Sequence, residues 1–578
     1  MKTFADLKQL LKSDRSHLAA IRVALLGDSA TQFLATALQG TGVERGFDVA
    51  LREADFAQIE RQLLDLSSET YAFGAKYVIV FQSTHKLLDT YNALPPEKRS
   101  TLADDRLAFI RQLDALFANR KERLIYCNYP EIDDGVYGSY AGRVESSFLF
   151  QVRKLNYFLM QSAHNIYLCD LASIQNKIGR DTIFDSSIYA TTEMLLSIDS
   201  VPLVAARMFD CILAAEGRIN KCVVCDLDNT LWGGVIGDDG IENIELGHLG
   251  IGKSFSEFGQ WLKKLKERGI ILAVCSKNNE ETAKEPFIKH PEMALRLEDI
   301  SVFVANWENK ADNIRRIQQI LNIGFDSMVF LDDNPAERAI VRENIPAITV
   351  PELPEDPADY LEYLYELNLF ETISVSAEDA ERTKQYQSEA KRQEELTHFA
   401  NEADFLKSLD MRCEVDRFNP YNTPRVAQLS QRSNQFNLRT IRYTDTDIAR
   451  LGSDDRYANF AFSLGDKFGD HGLICVVILE IWADKTLFID TWFMSCRVLK
   501  RGMENFTLNT IVQYAKDHGF ERLAGEYIAT PKNKMVKNHY DTLGFTQTAD
   551  GDRQLYTLDV AAYSEHECFI TKVHNEIR

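Results

Sequence analysis

Two aspartates stand two residues apart at the end of a buried apolar run. In Cys222-Val-Val-Cys-Asp226-Leu-Asp228-Asn-Thr230, the apolar run predicts a strand, and the carboxylates lie at its carboxyl end, where ligands bind in open α/β sheets. One Asp can attack phosphorus as a nucleophile, and the second can move a proton to and from the leaving group. Mg²⁺ is needed so that two anions can approach each other. By itself, Asp-x-Asp-x-Thr is weak evidence for a phosphoryl-transfer site, because such residues usually cap a helix after a strand.

Three further segments supply the other parts of a phosphoryl-transfer site in order along the chain. Cys275-Ser276-Lys-Asn278 ends a second strand, where Ser276 and Asn278 can bind phosphoryl oxygens. Lys310 offers a cation for the phosphate, and Asp332-Asp333 follow a later strand and can complete an oxygen site for a hard cation. Together with the Asp226 segment, these make four segments at the ends of predicted strands, and they predict a single phosphoryl-transfer site.

The spacing between these segments leaves no room for a large inserted lid. Between Asp228 and Ser276 a short flap and one helix fit, and the interval from Ser276 to Lys310 is equally short. Small-molecule phosphatases commonly use a lid to exclude water. We therefore expect a bulky or protein-tethered substrate, or another domain acting as the lid.

Apolar runs alternating with helical patterns predict multidomain α/β architecture. Residues 1–200 are predicted to form a flavodoxin-like parallel sheet, and residues 218–365 a Rossmann-like core. A helical connector, opening at Ser376, is expected over 366–399, followed by a mixed α+β domain over 400–578. The predicted strands are 21–26, 77–81, 123–127, 165–169, 222–227, 270–276, 302–305, 328–332, 347–350, 474–482 and 486–494, and the predicted helices include 254–268, 504–517 and 534–543.

Composition narrows the class of protein. The 578 residues suffice for two to four domains, and a net charge of −21 argues against a general nucleic-acid binder. No apolar run approaches the roughly 20 residues that span a bilayer, so we expect a cytoplasmic protein without membrane contact. The ten Cys show no disulfide framework, and Cys222 and Cys225 lack the second pair that a zinc site needs.

The four segments within 221–350 resemble the motifs of the haloacid dehalogenase (HAD) superfamily. The resemblance implies that Asp226 is the nucleophile and Asp228 the general acid/base. Thr230, Ser276 and Asn278 would contact phosphate, and Lys310 would stabilise charge. It also implies a Mg²⁺ site at Asp332, with Asp333, Asp226 and Asp228 contributing.

The residues around these motifs more specifically resemble the FkbH-like family, HAD subfamily IIIC. The segments that carry this resemblance are Asp226-Leu-Asp-Asn-Thr-Leu-Trp-Gly-Gly-Val-Ile-Gly-Asp-Asp-Gly240, Cys275-Ser-Lys-Asn-Asn279, Ser495-Cys-Arg-Val-Leu499 and the segment from Glu378 to Tyr386. The resemblance implies that a glyceryl unit from 1,3-bisphosphoglycerate, a small phosphorylated three-carbon substrate, is loaded on the phosphopantetheine thiol of an acyl carrier protein and dephosphorylated. The product would feed polyketide-type biosynthesis.

Near the start, Leu26-Gly27-Asp28-Ser29 resembles the first block of SGNH-type hydrolases, in which Ser is the nucleophile. Ile188 stands where that family has its His, and Phe81-Gln-Ser lacks the expected Gly and Asn. A Ser without a base is not activated. We favour a degenerate domain kept for docking or structure, and the alternative is a hydrolase that uses another base such as His85.

The C-terminal section resembles GCN5-related acyltransferases (GNAT). Cys496-Arg497-Val-Leu-Lys500-Arg501-Gly502 matches their pyrophosphate loop except that Lys500 replaces the first Gly, and Tyr540 fits the Tyr that protonates a departing thiolate. The resemblance implies binding of CoA or of a carrier protein's phosphopantetheine. Arg497, Lys500 and Arg501 would form the basic patch for an acidic carrier protein.

Two cysteines are candidates to hold an acyl group. Cys496 stands beside Arg497, which favours a thiolate, and Cys275 adjoins Ser276. A competing hypothesis is a phosphatase fused to an N-acetyltransferase that acts on sugars or other small molecules, and a third is a scaffold that only binds carrier proteins.

Overall fold

The apolar runs of the N-terminal section form one parallel sheet. The computed structural model describes residues 2–55, 58–118, 120–375, 382–396, 399, 401–495, 498–530, 532–549 and 553–573, and the chain divides into two units, Met1–Ala215 and Glu216–Arg578. The elements of the first unit are α1 (Phe4–Leu10), β1 (Ala19–Gly27), α2 (Gln32–Glu44), β2 (Phe47–Glu53), α3 (Ile59–Leu64), α4 (Glu69–Ala72), β3 (Tyr77–Phe81), α5 (Thr84–Ala93), α6 (Leu102–Phe117), β4 (Arg123–Cys127), α7 (Phe148–Ser162), β5 (Tyr167–Cys169), α8 (Leu171–Ile178), α9 (Arg180–Ile183), α10 (Ser186–Thr192) and α11 (Val201–Ala215).

The strand order of the first unit is β2-β1-β3-β4-β5, with every pair parallel. This is the flavodoxin-like order, so the predicted α/β class is confirmed. The central strand β3 is buried throughout, which explains its unbroken apolar run. Helix α11 also belongs to this unit and lies beyond the predicted boundary at residue 200.

The second unit begins with a four-stranded parallel sheet in the order β8-β7-β6-β9. Counted along the chain this is 3-2-1-4, the start of the Rossmann order, as predicted. Two apolar clusters cover its faces, one including Trp232 and Phe258, the other Ile314 and Phe330. The elements are β6 (Cys222–Cys225), α12 (Ile236–Asp239), α13 (Gly250–Glu267), β7 (Ile271–Ser276), α14 (Glu280–Lys289), β8 (Val302–Ala305), α15 (Lys310–Leu321), β9 (Met328–Leu331), α16 (Pro335–Asn344), α17 (Tyr360–Leu367) and α18 (Arg382–Leu396).

Two predictions for this region need comment. The strand predicted over 347–350 is wrong, because Thr349 forms only an isolated bridge to Val329. Flanking Pro346 and Pro351 lack the N–H groups that a longer ladder would use. The predicted connector helix is present as α18, while its predicted start at Ser376 lies outside the described residues.

The rest of the second unit is the predicted α+β region, an eight-stranded mixed sheet ordered β15-β16-β14-β13-β12-β11-β10-β17. Strands β13 and β14 run parallel, as do β10 and β17, and the other pairs are antiparallel. The helix predicted over 534–543 is broken into a 3-10 turn, Lys534–Val536, and a short α-helix. The elements are α19 (Glu402–Ser408), β10 (Met411–Asp416), α20 (Thr423–Arg432), α21 (Asp445–Ser453), β11 (Tyr457–Asp466), β12 (Gly469–Trp482), β13 (Thr486–Met494), α22 (Met503–Asp517), β14 (Arg522–Ile528), α23 (His539–Thr542), β15 (Thr546–Ala549), β16 (Arg553–Asp559) and β17 (Ile570–Val573).

Among the described residues, no helix combines the length and the apolar character that a membrane crossing requires.

Candidate active site

The predicted phosphoryl-transfer residues meet at the carboxyl edge of the four-stranded sheet. Asp226 directly follows β6, and Asp332 directly follows its neighbour β9. The strand order reverses at this pair, because the chain continues from β6 to β7 on one side and returns to β9 on the other. Open α/β sheets bind ligands at this kind of switch point.

Lys310 ties the two strand ends together. Its Nζ donates to Asp226 Oδ2 and to Asp332 Oδ2, each at 2.6 Å. The Lys310 side chain is only 4% exposed, and that of Asp332 is fully buried. Burial by itself would lower the pKa of Lys310, but the two carboxylates outweigh it and the pKa is raised, so the side chain is a fixed cation.

Asp332 is held in an environment that disfavours a lone negative charge. Burial, with the nearby Asp226 carboxylate, raises the pKa of Asp332 to about 6, although Lys310 opposes the shift. Asp333 is partly buried as well, and burial raises its pKa. Thr230 is fully buried, and its hydroxyl donates to Asp333 Oδ1 at 3.0 Å.

These carboxylates fit a divalent cation. One oxygen from each of Asp226, Asp332 and Asp333 can be chosen so that all three lie within 4.8 Å of one another. Hard cations take oxygen ligands, and a cation here would relieve the electrostatic cost of burying these acids. Three of the four predicted metal ligands are therefore brought together.

The fourth predicted ligand, Asp228, is oriented by other groups. Its Oδ1 accepts from Trp232 Nε1 at 2.9 Å and from the Ile236 N–H at 3.0 Å. Its Oδ2 accepts from Asn278 Nδ2 at 3.0 Å. Burial raises the pKa of Asp228, which suits a group that gives up a proton to a leaving group. Asn278, predicted as a phosphate contact, thus also positions the proposed acid, and neither Trp232 nor Ile236 was identified from the sequence.

Ser276 and Cys275 end strand β7 side by side, with different consequences. Ser276 is buried at the same sheet edge as Asp226, in line with the predicted phosphate role. Cys275 is completely buried, and burial raises the pKa of its thiol well above the usual range. Its Sγ donates to the Lys310 carbonyl at 3.7 Å. A buried, protonated thiol is poorly suited to carry an acyl group.

The edge above the site carries only short segments. Residues 229–249 contain the single-turn helix α12, and residues 277–309 contain α14, a 3-10 turn and β8, so this part of the chain has no inserted lid domain. Four large apolar side chains of these segments are exposed, Val235 at 37%, Leu249 at 88%, Ile288 at 62% and Trp307 at 76%. Val235 precedes the residue whose N–H binds Asp228, and Trp307 lies just before Lys310. Exposed apolar groups beside a site are typical of surfaces that meet another molecule.

In the first unit, Ser29, the nucleophile of the alternative hydrolase hypothesis, does not form a triad among the described residues. Its side chain is fully buried, and its hydroxyl has no hydrogen-bond partner there. His85 packs edge-on against Phe184 and lies over Tyr189, and burial lowers its pKa. Asp28 accepts the Ser83 N–H at 2.8 Å, and burial raises its pKa to about 6. This arrangement favours the structural or docking role over the hydrolase alternative.

The predicted CoA or pantetheine loop is only partly described, because Cys496 and Arg497 lie outside the described residues. Lys500 is exposed and adopts a left-handed φ of 62°, the conformation that favours the Gly it replaces. Gly502, also left-handed, precedes α22. Arg501 is not available as a surface cation: it is 5% exposed and pairs with Glu389 of α18 and, at 3.6 Å, with Asp466. The prediction that Arg501 belongs to a docking patch therefore fails.

The cleft that would receive an extended pantetheine arm is filled by the chain itself. Strands β13 and β14 pair only from Thr486 to Ile489 and then diverge. Residues 436–438 lie between them: the Leu438 N–H donates to the Trp492 carbonyl at 3.2 Å, and the Ile528 N–H donates to the Leu438 carbonyl at 2.9 Å. Arg439 then clamps both strands through Asp490 at 2.6 Å and Glu526 at 2.7 Å. An extended ligand would need these same backbone groups, so this cleft does not fit phosphopantetheine or CoA.

Tyr540 lies below this filled cleft. It is 1% exposed, and its ring packs directly over Gly525, where an added Cβ would stand 2.4 Å from Tyr540 Cζ. Burial raises the pKa of Tyr540, and its hydroxyl has no hydrogen-bond partner among the described residues. The side chain is therefore part of the core and is not presented to a ligand.

Comparison with known proteins identifies a family model and a solved structure that match parts of this chain. Residues 22–213 match the family described as FkbH, N-terminal domain. The crystal structure of the N-terminal part of BF1531 from Bacteroides fragilis, described as containing a phosphatase domain complexed with Mg, is 58% identical. The match covers 65% of this chain and 100% of that chain with a TM-score of 0.63. No curated protein matches the chain.

Acetyltransferase structures match about a quarter of the chain. The ribosomal-protein-S18-alanine N-acetyltransferase from Escherichia coli is 14% identical over 27% of this chain and 98% of that chain, with a TM-score of 0.21. Spermidine N-acetyltransferase from Vibrio cholerae, in complex with CoA and spermine, is 13% identical over 26% and 96%, also with a TM-score of 0.21. Identities and TM-scores this low indicate no activity for this chain.

Proposed function

Since the chain belongs to the same family as the Bacteroides fragilis phosphatase-domain protein BF1531, we propose that it is a Mg²⁺-dependent phosphatase of the HAD type. Its substrate would be a phosphorylated three-carbon acyl unit that is transferred to the thiol of an acyl carrier protein. The observation that carries the phosphatase part is the Lys310 ammonium, 2.6 Å from both Asp226 and Asp332. A fixed cation between two carboxylates at an open sheet edge suits the approach of a phosphoryl group.

The proposed reaction has two stages. First, the carrier thiolate attacks the acyl carbon of 1,3-bisphosphoglycerate, forming a C–S bond and releasing the acyl phosphate group as phosphate. Asp226 Oδ then attacks phosphorus of the remaining phosphoester, and the bond to the substrate oxygen breaks. Asp228, whose pKa is raised by burial, gives that oxygen its proton.

Asp228 then acts in reverse to complete the cycle. It takes a proton from water as the water attacks the phosphoaspartate, which releases phosphate and restores the Asp226 carboxylate. Lys310 neutralises charge on the transferring group and on Asp226 throughout. Mg²⁺, held by Asp226, Asp332 and Asp333, would supply further charge neutralisation.

The open edge supports a tethered substrate over a free one. Segments 229–249 and 277–309 carry no inserted lid domain, and Trp307, three residues before Lys310 in the chain, is 76% exposed. A carrier protein docked against Trp307 would itself exclude water from the site. The alternative of an N-acetyltransferase is not favoured, because residues 436–438 occupy the cleft between β13 and β14.

The test is to incubate the protein with Mg²⁺, 1,3-bisphosphoglycerate generated in place and a phosphopantetheinylated carrier protein, and to record the carrier's intact mass. We expect a glyceryl adduct with the wild type and a phosphoglyceryl adduct with Asp226→Asn. An unmodified carrier, together with brisk Asp226-dependent phosphate release from simple phosphoesters, would reduce the function to a plain phosphatase.

A second variant tests docking. Trp307→Ala should lower kcat/KM for the carrier-bound substrate about tenfold and leave hydrolysis of p-nitrophenyl phosphate unchanged, since truncating one exposed aromatic anchor typically costs about 1–2 kcal/mol. Tyr421→Ala, which removes an aromatic side chain that is 88% exposed before α20, is the matched control. Equal effects of the two variants would contradict docking at Trp307.

A further inference from the structure

Helix α16, which follows the last strand of the phosphatase sheet, buries an arginine. Of its ten residues only Arg338 and Val341 are buried, and Arg338 is 6% exposed. Arginine is seldom buried unless its charged group is paired and hydrogen-bonded. The contacts of this guanidinium therefore indicate the role of the position.

The Arg338 guanidinium binds the main chain of two of the candidate metal ligands. Its Nη1 donates to the Asp332 carbonyl at 2.8 Å and to the Asp333 carbonyl at 2.6 Å. Its Nε donates to Glu352 Oε2 at 3.0 Å, so an acid balances the buried charge and orients the guanidinium plane. Helical side chains point towards the amino end of the helix, which lets the fourth residue of α16 reach back to residues 332–334.

The carboxylates of the same two residues bind other groups. Asp332 Oδ2 accepts from Lys310 Nζ at 2.6 Å, and Asp333 Oδ1 accepts from the Thr230 hydroxyl at 3.0 Å. The main chain is thus held through Arg338, while the carboxylate oxygens belong to the cluster that fits a divalent cation. Because the two residues are consecutive and join β9 to α16, a change in the backbone dihedral angles of this short link would redirect both carboxylates.

We propose that Arg338 is a positioning residue: by binding the Asp332 and Asp333 carbonyls, it fixes the link between β9 and α16 and directs both carboxylates towards one cation. The proposal rests on the Mg²⁺ site of the proposed function and adds a residue that acts through the metal ligands. Supporting hydrogen bonds of this kind are common around metal sites, and their loss lowers metal affinity about 10–100-fold. Arg338 was not identified from the sequence.

Hydrogen exchange of the EDTA-treated full chain tests the effect on the link without any metal. The Asp333 N–H donates to Thr230 Oγ1 at 3.0 Å, and the Asn334 N–H donates to Asp332 Oδ1 at 2.8 Å, so both amides report on the link. In Arg338→Met and in Arg338→Lys these amides should exchange about tenfold faster than in the wild type, because hydrogen bonds from a charged group are lost.

Arg342→Met is the matched control. Arg342 lies one turn further along α16, pairs with the same Glu352 at 2.5 Å and donates to the Val350 carbonyl at 2.9 Å. It shares the acid with Arg338, but among the described residues it makes no hydrogen bond to residues 332–334. Amide exchange in the link and Mg²⁺ affinity should therefore match the wild type.

Calorimetric titration with Mg²⁺ tests the effect on the carboxylates. Both Arg338 variants should bind Mg²⁺ about 10–100-fold more weakly than the wild type. Arg338→Lys keeps the charge but not the planar group that binds Glu352 and the carbonyls through different nitrogens, so it should not rescue the affinity. Saturating Mg²⁺ should restore most of kcat in Arg338→Lys, which a general loss of folding would not allow. Tryptophan fluorescence melting of each variant identifies any loss that comes from unfolding.

Unchanged amide exchange in Arg338→Met would overturn the proposal, as would equal effects of Arg342→Met and the Arg338 variants. Unchanged Mg²⁺ affinity in both Arg338 variants, when the wild type binds the ion, would overturn it as well. A wild type that binds no Mg²⁺ would instead refute the proposed function, and the amide exchange would then decide whether Arg338 fixes the link.

Discussion

Replacing Lys310 by Met should expose the electrostatics of the phosphatase site more directly than any other single substitution. The variant leaves the Asp226 and Asp332 carboxylates facing each other in a buried space without their shared cation. Removing one partner of a buried ion pair typically costs about 3–5 kcal/mol of unfolding free energy. We expect a loss of that size at pH 8 in EDTA.

The loss should depend on pH in a defined direction. The pKa of Asp332 is about 6 in the wild type, because burial and Asp226 raise it more than Lys310 lowers it. Without Lys310 the folded-state pKa rises further, so the folded variant binds a proton that the unfolded chain has already released. The variant therefore keeps losing stability as the pH rises past 6, whereas the wild type does not, and the difference should shrink at pH 5.

Denaturant unfolding followed by tryptophan fluorescence measures this effect cleanly. All five Trp of the chain lie in Glu216–Arg578, at positions 232, 261, 307, 482 and 492, so the signal reports that unit alone. Lys277→Met is the matched control, because Lys277 forms a partly exposed pair with Glu337 at 2.5 Å in the segment that follows β7. Surface pairs contribute about 0–1 kcal/mol. A Lys310→Met loss no larger than that of the control, or equal at pH 5 and pH 8, would refute the reasoning.

Three further substitutions or treatments test other parts of the structure. Asp28→Asn should stabilise the first unit at pH 8 by up to about 3 kcal/mol, because the carboxyl pKa is raised from 3.8 to about 6 and each pKa unit corresponds to about 1.4 kcal/mol. In thermal unfolding followed by circular dichroism, this gain in stability should vanish near pH 4. A gain that does not depend on pH would contradict the prediction. Asp228→Asn should lower the rate of phosphate release about 10²–10⁴-fold, because it removes the proposed general acid. The affinity for Mg²⁺ should stay nearly unchanged, because the Asp228 oxygens bind Trp232, Ile236 and Asn278. A parallel loss of Mg²⁺ affinity would show that Asp228 is a metal ligand. Maleimide should label partly exposed Cys568 in the native protein but not Cys275, as read by peptide mapping, and comparable labelling of both would reopen an acyl role for Cys275.

The position of the candidate aspartates could be predicted from sequence because strand ends are local features. A buried apolar run followed by Asp226 and Asp228 fixes both the strand and the edge at which it ends. The same logic fails for weak edge strands: β2, Phe47–Glu53, lies at the sheet edge, where its polar Asp48 and Arg52 are tolerated, so its pattern was not recognised. The orientation of the Asp228 carboxylate could not be predicted either, since its donors Trp232 and Ile236 lie in the segment after β6 and Asn278 follows a different strand.

Long-range pairing explains the remaining failures in the C-terminal region. Arg501 looked like a surface cation in a basic loop, yet its partner Glu389 lies 112 residues earlier in the chain. The occupant of the cleft between β13 and β14 comes from residues 436–438, which carry no motif that announces this contact. Such contacts depend on how the helices and strands pack together, which the local residue pattern does not encode.

The most direct test of the account is whether a phosphoryl group becomes attached to Asp226. Rapid-quench experiments with Mg²⁺ and a radiolabelled phosphoester, followed by peptide mapping, should find a transient, hydroxylamine-sensitive label on Asp226 that persists longer in Asp228→Asn and is absent in Asp226→Asn. Phosphate release by Asp226→Asn at the wild-type rate, with the label on another residue or on none, would contradict the assignment of Asp226 as the nucleophile.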